Sequence, residues 1–250
     1  MGSLPPIGRA ALLLDLDGTL LDIAPTPDAV VVPDELPDVL RTLRRLLGDA
    51  VAVVTGRPVE TIDRLLGDAV FAVAGEHGGA VRHAPGAKLE RPALPEPPAV
   101  MIEGAKRLVA AHPGALFEPK ARGFSLHYRA VPKVGEALRE GLAALLAGEA
   151  AFELLQGSMI WEVRPRGVHK GTAVAALMDR APFAGRLPVF LGDDVTDEDG
   201  INAAAAMGGA GIRVPEVFGD AAGVRAWLAD IAADRAWPLT DRLSVRDRSD

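Results

Sequence analysis

Four short apolar runs, each stopped by a polar residue, constrain this chain more than any other feature of it. Residues 11–14 stop at Asp15, residues 50–54 at Thr55, residues 70–74 at Gly75-Glu76-His77, and residues 187–191 at Gly192-Asp193. Runs of this length without alternation read as strands buried on both faces. Between the first three lie stretches of helical period. Leu36, Val39, Leu40, Leu43, Leu46 and Leu47 share one face after Pro33-Asp34, and Gly48 closes the helix. Val59, Ile62, Leu65 and Leu66 share another. Strand alternating with helix is the pattern of a doubly wound parallel sheet. In such sheets ligands gather beyond the carboxyl ends of the strands. Asp15, Asp17, Thr55 and Asp193 are therefore expected to converge.

The rhythm breaks in the middle of the chain. Residues 84–98 hold five prolines and no periodicity, as a rigid loop would. After it the spacing predicts a helix near 99–111, strands near 115–119 and 123–129, a helix near 133–147, and strands near 152–155 and 159–164. Val134, Leu138, Leu142 and Leu145 share a face of the second helix. Phe124, Leu126 and Tyr128 alternate with Ser125, His127 and Arg129, which predicts a sheet with one polar face. Phe124, Tyr128 and Trp161 are expected in the core. This αββαββ block reads as an α+β domain (84–167) inserted into an α/β core (1–83 and 168–250). The α/β rhythm resumes with a helix after His169 carrying Val174, Leu177 and Met178. A strand at 211–214 and a last helix at 221–231 follow the strand at 187–191. Residues 241–250 are charged and aperiodic, and are expected to be disordered.

Composition narrows the function classes. The net charge of −7 gives no general basic field for nucleic acid. The absence of cysteine removes disulfides, thiolate metal sites and thiol catalysis. No run approaches the roughly 18 apolar residues of a membrane span, and residues 1–14 lack the pattern of a signal peptide. A cytoplasmic protein is expected. Only five of the 27 basic residues are lysine, so each lysine draws notice.

Four segments carry chemistry. In Asp15-Leu16-Asp17-Gly18-Thr19, residues two apart on an extended chain point to one side, about 7 Å apart. Two carboxylates can then flank one small substrate group or share a metal, and Gly18 lets the chain turn sharply. The alternative is an ordinary acidic turn. In Thr55-Gly56-Arg57, a hydroxyl and backbone N–H groups at a strand-to-helix turn can bind phosphate oxygen. Lys170 opens a helix, where the positive end of the dipole disfavours a cation unless an anion faces it. In the stretch 193–199, five carboxylates in seven residues repel one another unless a cation or hydrogen bonds compensate. Mg²⁺, which takes oxygen ligands, suits that set. Glu198 and Asp199 read as a solvated turn.

In this order and at these strand ends, the four segments resemble the four motifs of the haloacid dehalogenase phosphohydrolase superfamily. The resemblance implies Asp15 as the nucleophile that forms an aspartyl-phosphate and Asp17 as general acid, then base. It implies Thr55, Gly56 and Lys170 around the phosphoryl group. Mg²⁺ would be held by Asp15, Asp193 and the backbone carbonyl of Asp17, with Asp194 in support and Asp197 as a further candidate, its direct contact with the metal left open. A narrower resemblance is to the trehalose-6-phosphate phosphatase family. It is carried by Asp22-Ile-Ala-Pro-Thr-Pro-Asp28, Gly75-Glu-His-Gly78, Phe117-Glu-Pro-Lys120, Leu126-His-Tyr-Arg129, Glu162-Val-Arg-Pro165, His169-Lys-Gly171 and the 192–199 segment. That family places an αββαββ cap between its second and third motifs. The resemblance implies Glu118, Lys120 and Glu162 as ligands of the sugar hydroxyls. Arg57 and His77 are further candidates on the core side, and His127 and Arg129 on the cap. The expected partner is a small sugar phosphate, met by a monomer. Other readings are the same chemistry on sucrose 6-phosphate or a glycosyl-phosphoglycerate, or a sugar-phosphate sensor without turnover.

Overall fold

The computed structural model describes residues 2–70, 72–120, 122–238 and 243–245. In chain order the first elements are β1 (Gly2–Leu4), β2 (Ala10–Leu14), α1 (Leu36–Leu46), β3 (Val51–Val54), α2 (Val59–Leu66), β4 (Ala72–Gly75) and β5 (Ala80–Arg82). Next come α3 (Ala99–Ala110), β6 (Leu116–Pro119), β7 (Phe124–His127), α4 (Gly135–Leu145), β8 (Phe152–Gly157) and β9 (Ile160–Pro165). The chain ends with α5 (Lys170–Met178), β10 (Leu187–Gly192), α6 (Glu198–Ala206), β11 (Ala210–Arg213), α7 (Val214–Val217), α8 (Ala221–Asp234) and β12 (Leu243–Val245). Two compact units result: residues up to Arg91 together with those from His169 on, and Pro92–Val168. Residues 84–91, which composition grouped with the insertion, lie with the first unit. Val81 and Glu90 exchange two backbone hydrogen bonds of 2.8 Å that tie this stretch to β5.

The first unit is built on a six-stranded sheet of order β11-β10-β2-β3-β4-β5. Its first five strands are parallel, and β5 closes the edge antiparallel to β4. Successive strand residues point to opposite faces, and each face has its own core. Leu12, Leu14, Val51, Val53, Val189 and Leu191 pack with Leu40 of α1, Ile62 of α2 and Leu228 of α8. Ala11, Leu13, Ala52, Val54 and Phe190 pack with Val174 of α5 and Ile201 of α6. From β2 the chain runs outward through β3 and β4, then returns to the other side of β2 as β10 and β11. The carboxyl ends of β2 and β10 thus flank the point where the strand order reverses, where open α/β sheets form a crevice.

Three features differ from the sequence expectation. Glu198 and Asp199 open helix α6 rather than lying in a turn. The alanine-rich stretch that follows has no apolar stripe to announce a helix. The edge strand β5, only three residues long, has no counterpart among the strands expected from the sequence. Within the tail expected to be disordered, Leu243–Val245 pairs in parallel with Gly2–Leu4; residues 241, 242 and 246–250 lie outside the described residues. No helix among the described residues is long and apolar enough to cross a membrane.

The second unit is a four-stranded antiparallel sheet of order β6-β7-β9-β8. One face carries Phe124, Leu126, Trp161, Val163 and Phe152, packed on Met101 and Ala105 of α3 and Leu138 and Leu142 of α4. Trp161 also donates its indole N–H to the carbonyl of Gly135 at 2.8 Å. By alternation the other face carries Glu118, Ser125, His127 and Glu162.

Candidate active site

In the first unit the site is assembled by the loops after β2, β3 and β10 and by the start of α5. The Asp15 N–H donates to the carbonyl of Leu191 at 3.0 Å, extending the ladder one residue past β2. The chain then folds back, with the N–H groups of Leu20 and Leu21 each 2.9 Å from the Leu16 carbonyl. Gly18 makes this turn at φ +87°, and a Cβ there would stand 2.1 Å from Oδ2 of Asp193. Conformation and space both require glycine. Thr19, fully buried, donates its hydroxyl to Asp193 Oδ1 at 3.3 Å.

Lys170 is the first residue of α5 and only 3% exposed. Its ammonium lies 2.6 Å from Asp15 Oδ1 and 2.6 Å from Asp197 Oδ1. The anion demanded by a cation at a helix N-terminus is therefore a pair of buried carboxylates. The second oxygen of Asp197 accepts the N–H groups of Asp193 and Asp194, both at 3.1 Å. Asp197 so links the lysine to the loop after β10.

Asp15, Asp193 and Asp197 each bring one oxygen within 4.8 Å of the others. Burial is the main cause that pushes all three above the ordinary carboxylate range. Asp15 rises to about 6, with Lys170 pulling it down and Asp193 pushing it up. Asp193 rises to about 6, helped by the charges of Asp197 and Asp194. Asp197 rises to about 7 beside Asp15, against the pull of Lys170. Burial works to lower Lys170, but Asp15 and Asp197 outweigh it and hold it well above the usual lysine range. One ammonium against three carboxylates leaves negative charge uncompensated. An all-oxygen donor set with that excess fits a hard divalent cation.

Asp194, expected in support of the metal, is not one of the three clustered carboxylates. Asp194 is exposed, and its Oδ1 accepts the N–H and the hydroxyl of Thr196, each at 2.7 Å. Its carboxylate caps the turn, and Asp197 occupies the cluster instead. The carboxylate of Asp17 is gripped by Arg57 through two hydrogen bonds of 2.6 and 2.7 Å. The sequence signal that could have distinguished Asp197 is weak, because its partner is a lysine 27 residues earlier.

Thr55 is buried at the end of β3. Its hydroxyl accepts the N–H of Arg57 at 3.1 Å, and its carbonyl accepts the N–H of His77 at 2.9 Å. Gly56 and His77 are neighbours here.

In the second unit, Glu118, Ser125 and Glu162 stand in one cross-strand row on β6, β7 and β9. Glu118 accepts from Lys120 Nζ at 2.6 Å and pairs with His127 Nε2 at 2.7 Å. Burial tends to raise Glu118, but the hydrogen bonds from His127 and Lys120 prevail and hold it at about 2. Arg129 lies beyond the strand in an exposed turn and is not brought to this row.

The profile of a family described as Trehalose-phosphatase matches residues 13–222. The trehalose-6-phosphate phosphatase of Escherichia coli K12 is 38% identical over 207 residues, covering 82% of this chain and 77% of that protein. Among solved structures, the C-terminal domain of Candida albicans trehalose-6-phosphate phosphatase matches with a TM-score of 0.68 and 26% identity, over 78% of this chain and 73% of that one. A haloacid dehalogenase-like hydrolase from Bacteroides thetaiotaomicron shares the fold, with a TM-score of 0.58 at 11% identity, over 78% of this chain and 85% of that one.

Proposed function

The chain belongs to the trehalose-phosphatase family of phosphoric monoester hydrolases, and from that premise we propose that it hydrolyses trehalose 6-phosphate to trehalose and phosphate with Mg²⁺. The observation that carries this reading is the Asp15–Lys170–Asp197 contact at the reversal point of the sheet. A carboxylate nucleophile must be ionised, yet burial opposes ionisation. Lys170 counters burial at Asp15 and supplies positive charge to the incoming phosphoryl group, whose approach to a carboxylate would otherwise be repulsive.

In this account Asp15 attacks phosphorus, the bond to the sugar oxygen breaks, and an aspartyl-phosphate forms. Asp17 gives a proton to the departing sugar oxygen. It then takes one from the water that cleaves the aspartyl-phosphate. For both tasks its carboxyl must leave the grip of Arg57. Thr55, the Gly56 N–H and Lys170 hold the phosphoryl oxygens. Mg²⁺ would be held by Asp15 and Asp193, with Asp197 behind them, and would supply charge neutralisation. In the second unit Glu118, Lys120, His127 and Glu162 act as acceptors and donors for sugar hydroxyls, in the role of a cap. Glu118 remains a carboxylate acceptor throughout the neutral range.

Phosphate release from trehalose 6-phosphate, sucrose 6-phosphate, glucose 6-phosphate and p-nitrophenyl phosphate, with and without Mg²⁺, tests the reading. Mg²⁺-dependent release favouring trehalose 6-phosphate is expected. A preference for another sugar phosphate would retain the chemistry and overturn the sugar. Binding without release would make the chain a sensor.

A further inference from the structure

Glu76, His77 and Gly78 follow one another with φ of 55°, 56° and 105°. Only the last is a glycine. Left-handed backbone is uncommon in other residues, and it persists where the surroundings over-determine it. Here two of the constraints come from a single turn. The Glu76 N–H donates to the Arg57 carbonyl at 3.0 Å, and the His77 N–H to the Thr55 carbonyl at 2.9 Å. The same conformation lays the imidazole against Gly56, where a Cβ would stand 2.6 Å from His77 Nε2. Within that turn the Thr55 N–H is used on the Ala74 carbonyl and the Arg57 N–H on the Thr55 hydroxyl. Among the described residues nothing takes the Gly56 N–H between them. A strained loop thus braces the neighbouring turn from two carbonyls and one side, and the Gly56 N–H is the donor of that turn left untaken among the described residues.

We propose that His77 is a positioning residue: its left-handed backbone and its imidazole hold the Thr55–Arg57 turn so that the Gly56 N–H meets a phosphoryl oxygen, and it does not read the sugar. The inference rests on the phosphatase reading only for the identity of the anion.

Two variants separate its parts. His77→Gly removes the imidazole and relieves the backbone; His77→Ala removes the imidazole and keeps the strain. Both should lower kcat by about 10²-fold, on trehalose 6-phosphate and p-nitrophenyl phosphate alike, as misplacement of a binding group does. His77→Gly should melt at or above the wild-type temperature, and His77→Ala about 2–4 °C below His77→Gly. Activity lost without stability distinguishes positioning from general support of the fold. A kcat retained in His77→Gly overturns the inference. So does a loss confined to KM for trehalose 6-phosphate, or an activity loss that follows the melting temperature. A readout independent of turnover is the amide resonance of Gly56 titrated with inorganic phosphate in Mg²⁺. It should shift in the wild-type chain and not in His77→Gly. An indifferent Gly56 in a wild-type chain that hydrolyses phosphate esters overturns the inference alone. A shifting Gly56 in a chain that hydrolyses none of them overturns the activity and supports the inference.

Discussion

The two units hold carboxylates in opposite electrostatic conditions. In the first, Asp15, Asp193 and Asp197 share one ammonium and are pushed up to about 6, 6 and 7. In the second, Glu118 has two donors to itself and is held at about 2. The difference follows from where the groups are anchored. Parallel strands deliver side chains to one sheet end, where burial and crowding concentrate charge. An antiparallel sheet spreads them over a face, where each finds a cross-strand partner. A crowded cluster suits a cation and a phosphoryl group. A matched one suits neutral hydroxyls.

That contrast can be broken by substitution, and the effects should descend in size. Asp15→Asn should abolish turnover of every phosphate ester, by about 10⁴-fold or more, with the fold retained in circular dichroism. Asp197→Asn should lower kcat by about 10²-fold, because it releases Lys170 and the loop at Asp193, whereas Asp194→Asn should change kcat by less than about threefold. Equal effects of these two would erase the distinction between cluster and cap. Glu118→Ala should lower kcat/KM for trehalose 6-phosphate by about 10–100-fold, the loss of hydrogen bonds to a charged group. It should leave p-nitrophenyl phosphate nearly unchanged; equal loss on both would remove Glu118 from sugar binding.

The smallest effects concern stability and should have opposite signs in the two units. In the cation-free chain the raised cluster holds protons that the unfolded chain has released, so it lowers stability as pH rises from about 4 to about 7. Asp197→Asn should therefore raise the melting temperature by a few °C at pH 8 and by less at pH 5. Mg²⁺ should likewise stabilise more at pH 8 than at pH 5, because protons compete for its ligands. Glu118, depressed below its ordinary 4.5, stabilises above that value and loses its contribution as pH falls towards 2. Glu118→Gln should lower the melting temperature near pH 7 and do so less near pH 3.

The doubly wound core was legible because its strands are continuous apolar runs that stop at functional residues. Asp15, Thr55, Lys170 and Asp193 could be picked out by position and residue type. The polar face of β7 at Ser125 and His127 was legible from alternation, whereas Arg129 falls beyond the strand and Glu118 was indicated by the family resemblance alone. What escaped lacked a local signal. Helix α6 has little but alanine after Ile201. The pairing of Gly2–Leu4 with Leu243–Val245 joins three-residue strands from opposite ends of the chain. The placement of Asp197 in the cluster and Asp194 outside it depends on which carboxylate faces Lys170, and two acidic positions three residues apart in one turn do not reveal that. The grip of Arg57 on Asp17 spans 40 residues and two loops.

The proposed function divides the labour between the two clusters, phosphoryl chemistry at the crowded one and sugar selection at the matched one. The most direct test is phosphate release by wild type and Glu118→Ala from trehalose 6-phosphate and p-nitrophenyl phosphate, each with Mg²⁺ and with a chelator. Chelation should stop release from both substrates, and Glu118→Ala should impair only the sugar phosphate. Release that survives chelation, or a Glu118→Ala variant equally impaired on both substrates, would contradict this division.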